Sequence, residues 1–223
     1  LGLFYIFAVS SAAVAGILMA GWASNNKWAL YGAARGAAQM VSYEIPLALA
    51  CIPVVMLTGS LNMNDIVIAQ GGGIWNWNLL HDPFLFVAFV LYFIASIAEV
   101  NRGPFDMPET ESELVAGYHV EYTGMRFAFF FLAEYANLFL VSCIATAVFL
   151  GGWQPIAGPV VLPGLDFVIK AVLLVLLQMW VRWTLPRQRV DQLMHTCWKV
   201  MVPLSLICVL GAVIWMMATG ELG

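Results

Sequence analysis

The sequence predicts an all-α polytopic transmembrane helix bundle, and three observations predict it. Hydrophobic residues make up 62% of the 223 and charged residues only 10%, with a mean hydropathy of +0.88, which is too apolar for a soluble globular domain. A template of about 20 apolar residues, the length of helix that crosses a hydrocarbon layer of about 30 Å, finds six segments. Runs such as AVLLVLLQMW at 171–180 are unbroken, whereas the strands of a membrane barrel alternate between lipid-facing and lumen-facing residues.

In chain order, the first span covers Leu1–Trp22. It starts inside an apolar run rather than with Met and a charged segment, so no signal peptide is read and the chain is expected to be an N-terminally incomplete piece of a longer protein. The second span, Ala38–Thr58, carries Glu44 two residues before Pro46. That proline leaves the carbonyl of Ser42 without its usual donor, and Pro53 does the same to Leu49. A helix interrupted at membrane depth is tolerated only against protein or water, so Glu44 is predicted to lie beside a hydrated pocket. The alternative is a carboxylate satisfied locally by Tyr43, Gln39 or Arg35.

The connection after it, GSLNMNDIVIAQGGGIWNWNLLHDP, reads as a flexible connector, since its GGG lacks the Lys and Ser/Thr of a phosphate-binding loop. The third span, Pro83–Ala98, ends at Glu99, three residues before Arg102 and therefore at the spacing of a helical ion pair. The loop that follows, 99–125, holds six of the thirteen carboxylates: Glu99, Asp106, Glu109, Glu111, Glu113 and Glu121. Thr110 to Glu113 fits a capping box, with Gly117 placed to end a short helix. A capping role for Glu113 does not explain the other acids, which repel one another. A cluster of this kind leading out of membrane spans is what a proton reservoir or relay requires; the plain alternative is a solvated acidic loop.

The fourth span, Arg126–Leu150, contains Glu134 with no cation within one helical turn. Burying that carboxylate ionised and unpartnered is costly, so it is either protonated or served from another helix. Phe167–Thr184 and Val200–Thr219 complete the six. Intramembrane acids usually face a bundle interior or a wet cavity and mark ion or proton routes, which makes Glu44, Glu99 and Glu134 candidates.

Topology follows from the nine Lys and Arg residues. Lys27 and Arg35 fall in the first loop, Arg102 and Arg126 bound the third, and Arg182, Arg187, Arg189 and Lys199 flank the fifth, with Lys170 the one exception. The positive-inside rule then puts the acidic loop in the cytoplasm and both ends of the chain outside. Trp22, Trp28, Trp153, Trp183 and Trp198 near span ends suit the headgroup level.

Several functions are disfavoured. A net charge of −4 and a pI near 5.2 argue against a nucleic-acid partner. Cys51, Cys143, Cys197 and Cys208 form no CxxC pair, so disulfides, zinc or iron–sulfur sites are not suggested and buried small hydrophobes are. His81, His119 and His195 all lie in loops, where they cannot pair across facing helices to hold a haem. The chain is expected to contain no haem, flavin, iron–sulfur cluster or metal of its own.

Four stretches carry a resemblance: GWASNNKWALYGAARGAAQMVSYEIPL, AEVNRGPFDMPETESELVAGYHVEYTGMRFAFFFLAEYAN, FLGGW and LPRQRVDQLMHTCWK. The sequence resembles, over nearly all its length, the family of H subunits of bacterial proton-translocating NADH:quinone oxidoreductase, respiratory complex I. The resemblance implies an inner-membrane component at the heel of the complex, in contact with membrane-arm and peripheral-arm subunits, quinone (ubiquinone or menaquinone) and the lipid bilayer. Carried over, Asp106, Glu109, Glu111 and Glu113 are chamber and relay acids with Arg102 setting their charge balance. Glu44, Glu99 and Glu134 continue the route into the membrane, assisted by Arg35, and Glu121 belongs to the chamber side. Val100, Gly103 and Thr110 depart from the family's usual residues; the carboxylates are retained. The related energy-converting hydrogenases, a free-standing ion transporter and a structural anchor with an acidic docking loop are the competing readings.

Overall fold

The computed structural model describes residues 2–108, 115, 117–155 and 163–220. All regular structure among them is helical. The first span is two helices, α1 (Gly2–Ser10) and α2 (Ala12–Ala23), because the hydroxyls of Ser10 and Ser11 both donate to the carbonyl of Phe7 at 2.9 Å, a backbone-directed bond that bends helices. Asn25, in the left-handed region at φ +47°, and Asn26, whose side chain accepts from the Trp28 amide at 3.1 Å, then reverse the chain. The loop predicted to hold Lys27 and Arg35 is therefore only a tight turn. Both residues belong to α3 (Lys27–Thr58).

At 32 residues α3 is about 48 Å long, more than a bilayer's hydrocarbon needs, and it stays helical through Pro46 and Pro53. The expected interruption does not occur, since a partner from elsewhere serves the carbonyl that Pro46 strands: the Cys197 thiol donates to Ser42 at 3.0 Å. One residue on, the Tyr43 hydroxyl donates to the Leu193 carbonyl at 3.0 Å. These bonds tie α3 to the final span, where α9 (Val190–His195), a π-helical turn at Thr196–Met201 and α10 (Val202–Thr219) run on without a break.

The connection after α3, expected to be flexible, is folded around a buried side chain. Short helices α4 (Met63–Ala69) and α5 (Asn78–His81) flank Gln70, whose amide nitrogen donates to the carbonyls of Ala147 and Val148 at 3.0 and 3.2 Å and whose oxygen accepts from the Gly151 amide at 2.9 Å. Asp82 then caps α6 (Pro83–Glu99) by accepting from the Phe84 amide at 2.9 Å. After the acidic loop come α7 (Met125–Phe149) and α8 (Pro163–Thr184).

Among the described residues, five stretches are long and apolar enough to cross a membrane: Gly2–Ala23, Lys27–Thr58, Met125–Phe149, Gly164–Thr184 and Val190–Thr219. The remaining predicted span, α6, has 17 residues, about 26 Å of helix. It lies at the lower limit for a crossing. α3 is central, packed on α2, α6 and α10, while α7 pairs with α8 and touches α6. The shared core includes Tyr43, Leu47, Leu85, Tyr92 and Phe149. Outward, Leu173, Leu176, Leu210 and Ile214 are exposed, an arrangement that water would penalise and lipid does not. Cys51, Cys197 and Cys208 are buried and Cys143 half-buried, all as free thiols.

Lys170, the exception in the charge distribution, is a buried structural cation. Its ammonium donates to the carbonyls of Leu150, Gly152 and Gln154 at 2.8, 3.0 and 2.7 Å and lies 4.2 Å from the centre of the Trp77 ring. It thereby satisfies carbonyls of the C-cap and of the turn that follows α7.

Candidate functional site

The site is built where α6 ends. Asn101 adopts φ +54°, a left-handed conformation that Asn tolerates better than most residues, and the chain leaves the helical path. Arg102 consequently does not face Glu99. Its Nη2 lies 2.9 Å from Oε2 of Glu134 on α7, and its guanidinium is stacked within 4.5 Å of the Tyr135 ring centre and 5.7 Å of Phe131. The i,i+3 pair expected from spacing is replaced by a cross-helix pair. The same contact supplies the partner that Glu134 lacks on its own helix. Tyr118 donates its hydroxyl to Glu134 Oε1 at 3.4 Å, and His119 Nε2 stands 3.7 Å from that oxygen.

The stem of the loop is held down by α3. Gln39, 1% exposed, donates from one amide nitrogen to the carbonyls of Ala98 and Phe105, both at 2.7 Å. It bridges the end of α6 to the segment beyond Arg102. Gly32 and Gly36, on the same face of α3, allow close approach: a β-carbon at Gly32 would stand 2.7 Å from the Gly117 α-carbon, and one at Gly36 would stand 2.9 Å from Pro108 Cγ.

Two cavities open on either side of Glu99, which is 4% exposed. One, of about 510 Å³, is lined by Glu99 and Glu134 with Asn101, Tyr118, Met40 and Asn137. The other, of about 370 Å³, is lined by Glu99 and Glu44 with Ser11, Phe7 and Leu47. Glu99 is the shared wall, and Glu44 lies within electrostatic range of it. Ser11, at the break between α1 and α2, interacts with the Glu44 carboxyl. Gln39 and Tyr43, the local partners considered for Glu44, are engaged with Ala98, Phe105 and Leu193 instead. Three carboxyl groups from three helices thus line one pair of adjoining spaces in an otherwise apolar bundle, each space large enough for water or a small ligand.

The NADH dehydrogenase family model matches residues 1–213. The chain belongs to that family. Its relatives include the NADH-quinone oxidoreductase H subunit of Anaeromyxobacter dehalogenans (strain 2CP-C), 49% identical over 96% of this chain and 57% of the relative. That of Chlorobaculum tepidum is 50% identical over 96% and 64%, and that of Geobacillus sp. (strain WCH70) is 52% identical over 92% and 60%. The chain spans about three fifths of the length of these relatives. With five apolar helices among the described residues long enough to cross a bilayer, this NADH dehydrogenase family member is a multi-pass membrane protein.

The other candidates are distributed around this centre. Asp106 is half-buried just beyond Phe105. Arg35 lines a separate cavity of about 270 Å³ with Met107, Val190 and Leu193. Glu121 is exposed and accepts from the Asn26 side chain at 3.3 Å, at the α2–α3 turn. Glu109, Glu111, Glu113 and the capping box at 110–113 lie outside the described residues. Residues that sequence reasoning did not single out as site members are Asn101, Tyr118, His119 and Gln39. Gln39 carried a signal, a lone amide in an apolar span. Tyr118 and His119 carried none, since their contact with Glu134 depends on how the loop folds back.

Proposed function

We propose that the chain is the part of the membrane-embedded H subunit of NADH:quinone oxidoreductase that helps form the quinone chamber and couples quinone reduction to proton translocation through buried carboxyl groups. The observation that carries this reading is the position of Glu99 as the common wall of a cavity shared with Glu134 and one shared with Glu44. In this reading the relatives' quinone, and the neighbouring membrane-arm and peripheral-arm subunits, are also this chain's partners. The protein sits in the bacterial inner membrane with the acidic loop on the cytoplasmic side, and the chain contributes no redox centre.

Each residue then has a defined task. Arg102 holds positive charge against Glu134, so a negative charge appearing near the loop competes for it and alters the field at that carboxyl. Glu99 passes a proton between the two spaces. Glu44 receives it, with Ser11 as a hydrogen-bonding neighbour. Asp106, Glu109, Glu111 and Glu113 supply the chamber end.

The test is Glu99→Gln in the assembled enzyme, with NADH:quinone turnover and proton uptake measured together. Both are expected to fall by roughly 10²-fold, the lower range of what a positioned proton-transfer group supplies. Unchanged turnover and stoichiometry would sink the assignment. Glu109→Gln, Glu111→Gln and Glu113→Gln extend the same test to the loop.

A further inference from the structure

Arg102 faces Glu134 on one side and a very small cavity, about 10 Å³, on the other. Gln178 and Arg182 of α8, with Tyr135, Ile97 and Leu138, also line it. Arg102 Nε and Gln178 Oε1 are both buried without a hydrogen-bond partner, in residues 7% and 5% exposed. So is Arg102 Nη2, whose 2.9 Å approach to Glu134 is an ion pair without hydrogen-bond alignment. A guanidinium N–H and an amide oxygen so enclosed require a partner. A space of this size holds about one water molecule.

The orientation of the amide is fixed from its other end. The Ser96 hydroxyl donates its proton to the Phe93 carbonyl at 2.8 Å, so toward Gln178 it can only accept. Gln178 Nε2 donates to it at 3.2 Å, which leaves Oε1 as the free acceptor. We propose that one water in this cavity joins Arg102 Nε to Gln178 Oε1, making Gln178 a positioning residue for the ion pair between Arg102 and Glu134. The inference rests on the reading of Glu134 as a coupling carboxyl. The charge of the guanidinium comes with a planar, directional set of donors, and a second anchor on Nε keeps the group within ion-pairing distance of Glu134, with His119 beside Glu134 and Arg182 beside Arg102.

The experiment uses the assembled enzyme and three variants: Gln178→Met, which keeps the length and removes the acceptor; Ser96→Ala, which releases the amide; and Glu134→Gln as reference. A wild-type map at a resolution that shows ordered water is expected to contain a density within hydrogen-bonding reach of both Arg102 Nε and Gln178 Oε1, absent in Gln178→Met. The kcat of coupled turnover in Gln178→Met is expected to fall about tenfold, the worth of one hydrogen bond to a charged group, with the quinone KM unchanged. Ser96→Ala falls less, in the same direction, and decides the matter if Gln178→Met fails to assemble. Absence of the wild-type density overturns the bridge. Wild-type kcat in Gln178→Met or, failing its assembly, in Ser96→Ala, alongside an impaired Glu134→Gln, overturns the positioning role. Wild-type activity in Glu134→Gln instead overturns the coupling reading, while the density still decides the bridge.

Discussion

Arg102 shows what a single residue contributes when its partner comes from another helix. With side chains 9% and 13% exposed, Arg102 and Glu134 form a largely buried pair, and deleting one member strands the other's charge in a medium that solvates it poorly. Arg102→Ala is expected to cost about 3–5 kcal/mol, read as a lowered unfolding temperature of the purified complex. Arg126→Ala, at an exposed position, is expected to stay within about 0.5 kcal/mol. Equal shifts for the two would show that the pair is not structural. The acids themselves were legible, because a carboxyl in an apolar run is conspicuous by type alone. The pairing was not. It turns on the left-handed backbone of Asn101, which redirects the next side chain and leaves no mark in residue spacing.

At the scale of the element, α3 acts as the rail on which the loop rests. Gly32 meets backbone of the loop, Gly36 meets a proline ring, and Gly16 on α2 has open space around it. Thermal denaturation should therefore rank the alanine variants. Gly32→Ala is expected to cost the most, about 1–3 kcal/mol for overpacking against atoms that cannot yield. Gly36→Ala follows, and Gly16→Ala is neutral or stabilising by up to about 1 kcal/mol through helix propensity. An inverted order would remove the rail. The spans were readable from apolar length, since lipid forces every backbone amide into a helix. The start of α3 at Lys27 was not, because Lys27, Arg35 and small residues between them resemble a polar loop when tertiary contacts are unknown. The continuity of α3 through Pro46 was equally hidden, depending as it does on a thiol 155 positions away in sequence.

Across the whole molecule, the proposed orientation rests on charge asymmetry, and two exposed residues in different connections can report on it. Glu121 is exposed on the acidic loop and Trp75 is 83% exposed on the connection between α3 and α6. In intact cells a membrane-impermeant maleimide is expected to label Trp75→Cys and spare Glu121→Cys, with the reverse in inverted vesicles; the four native thiols, buried or half-buried, give a low background. Labelling of both from one side would refute the topology. Lys170 bears on how that arrangement is reached during synthesis. Its three carbonyl acceptors, Leu150, Gly152 and Gln154, all precede it in the chain, so they leave the ribosome before the lysine does. The receptacle for the ammonium is thus made first, and α7 and α8 can partition from the translocon as a hairpin whose buried ammonium is already solvated by three carbonyl oxygens.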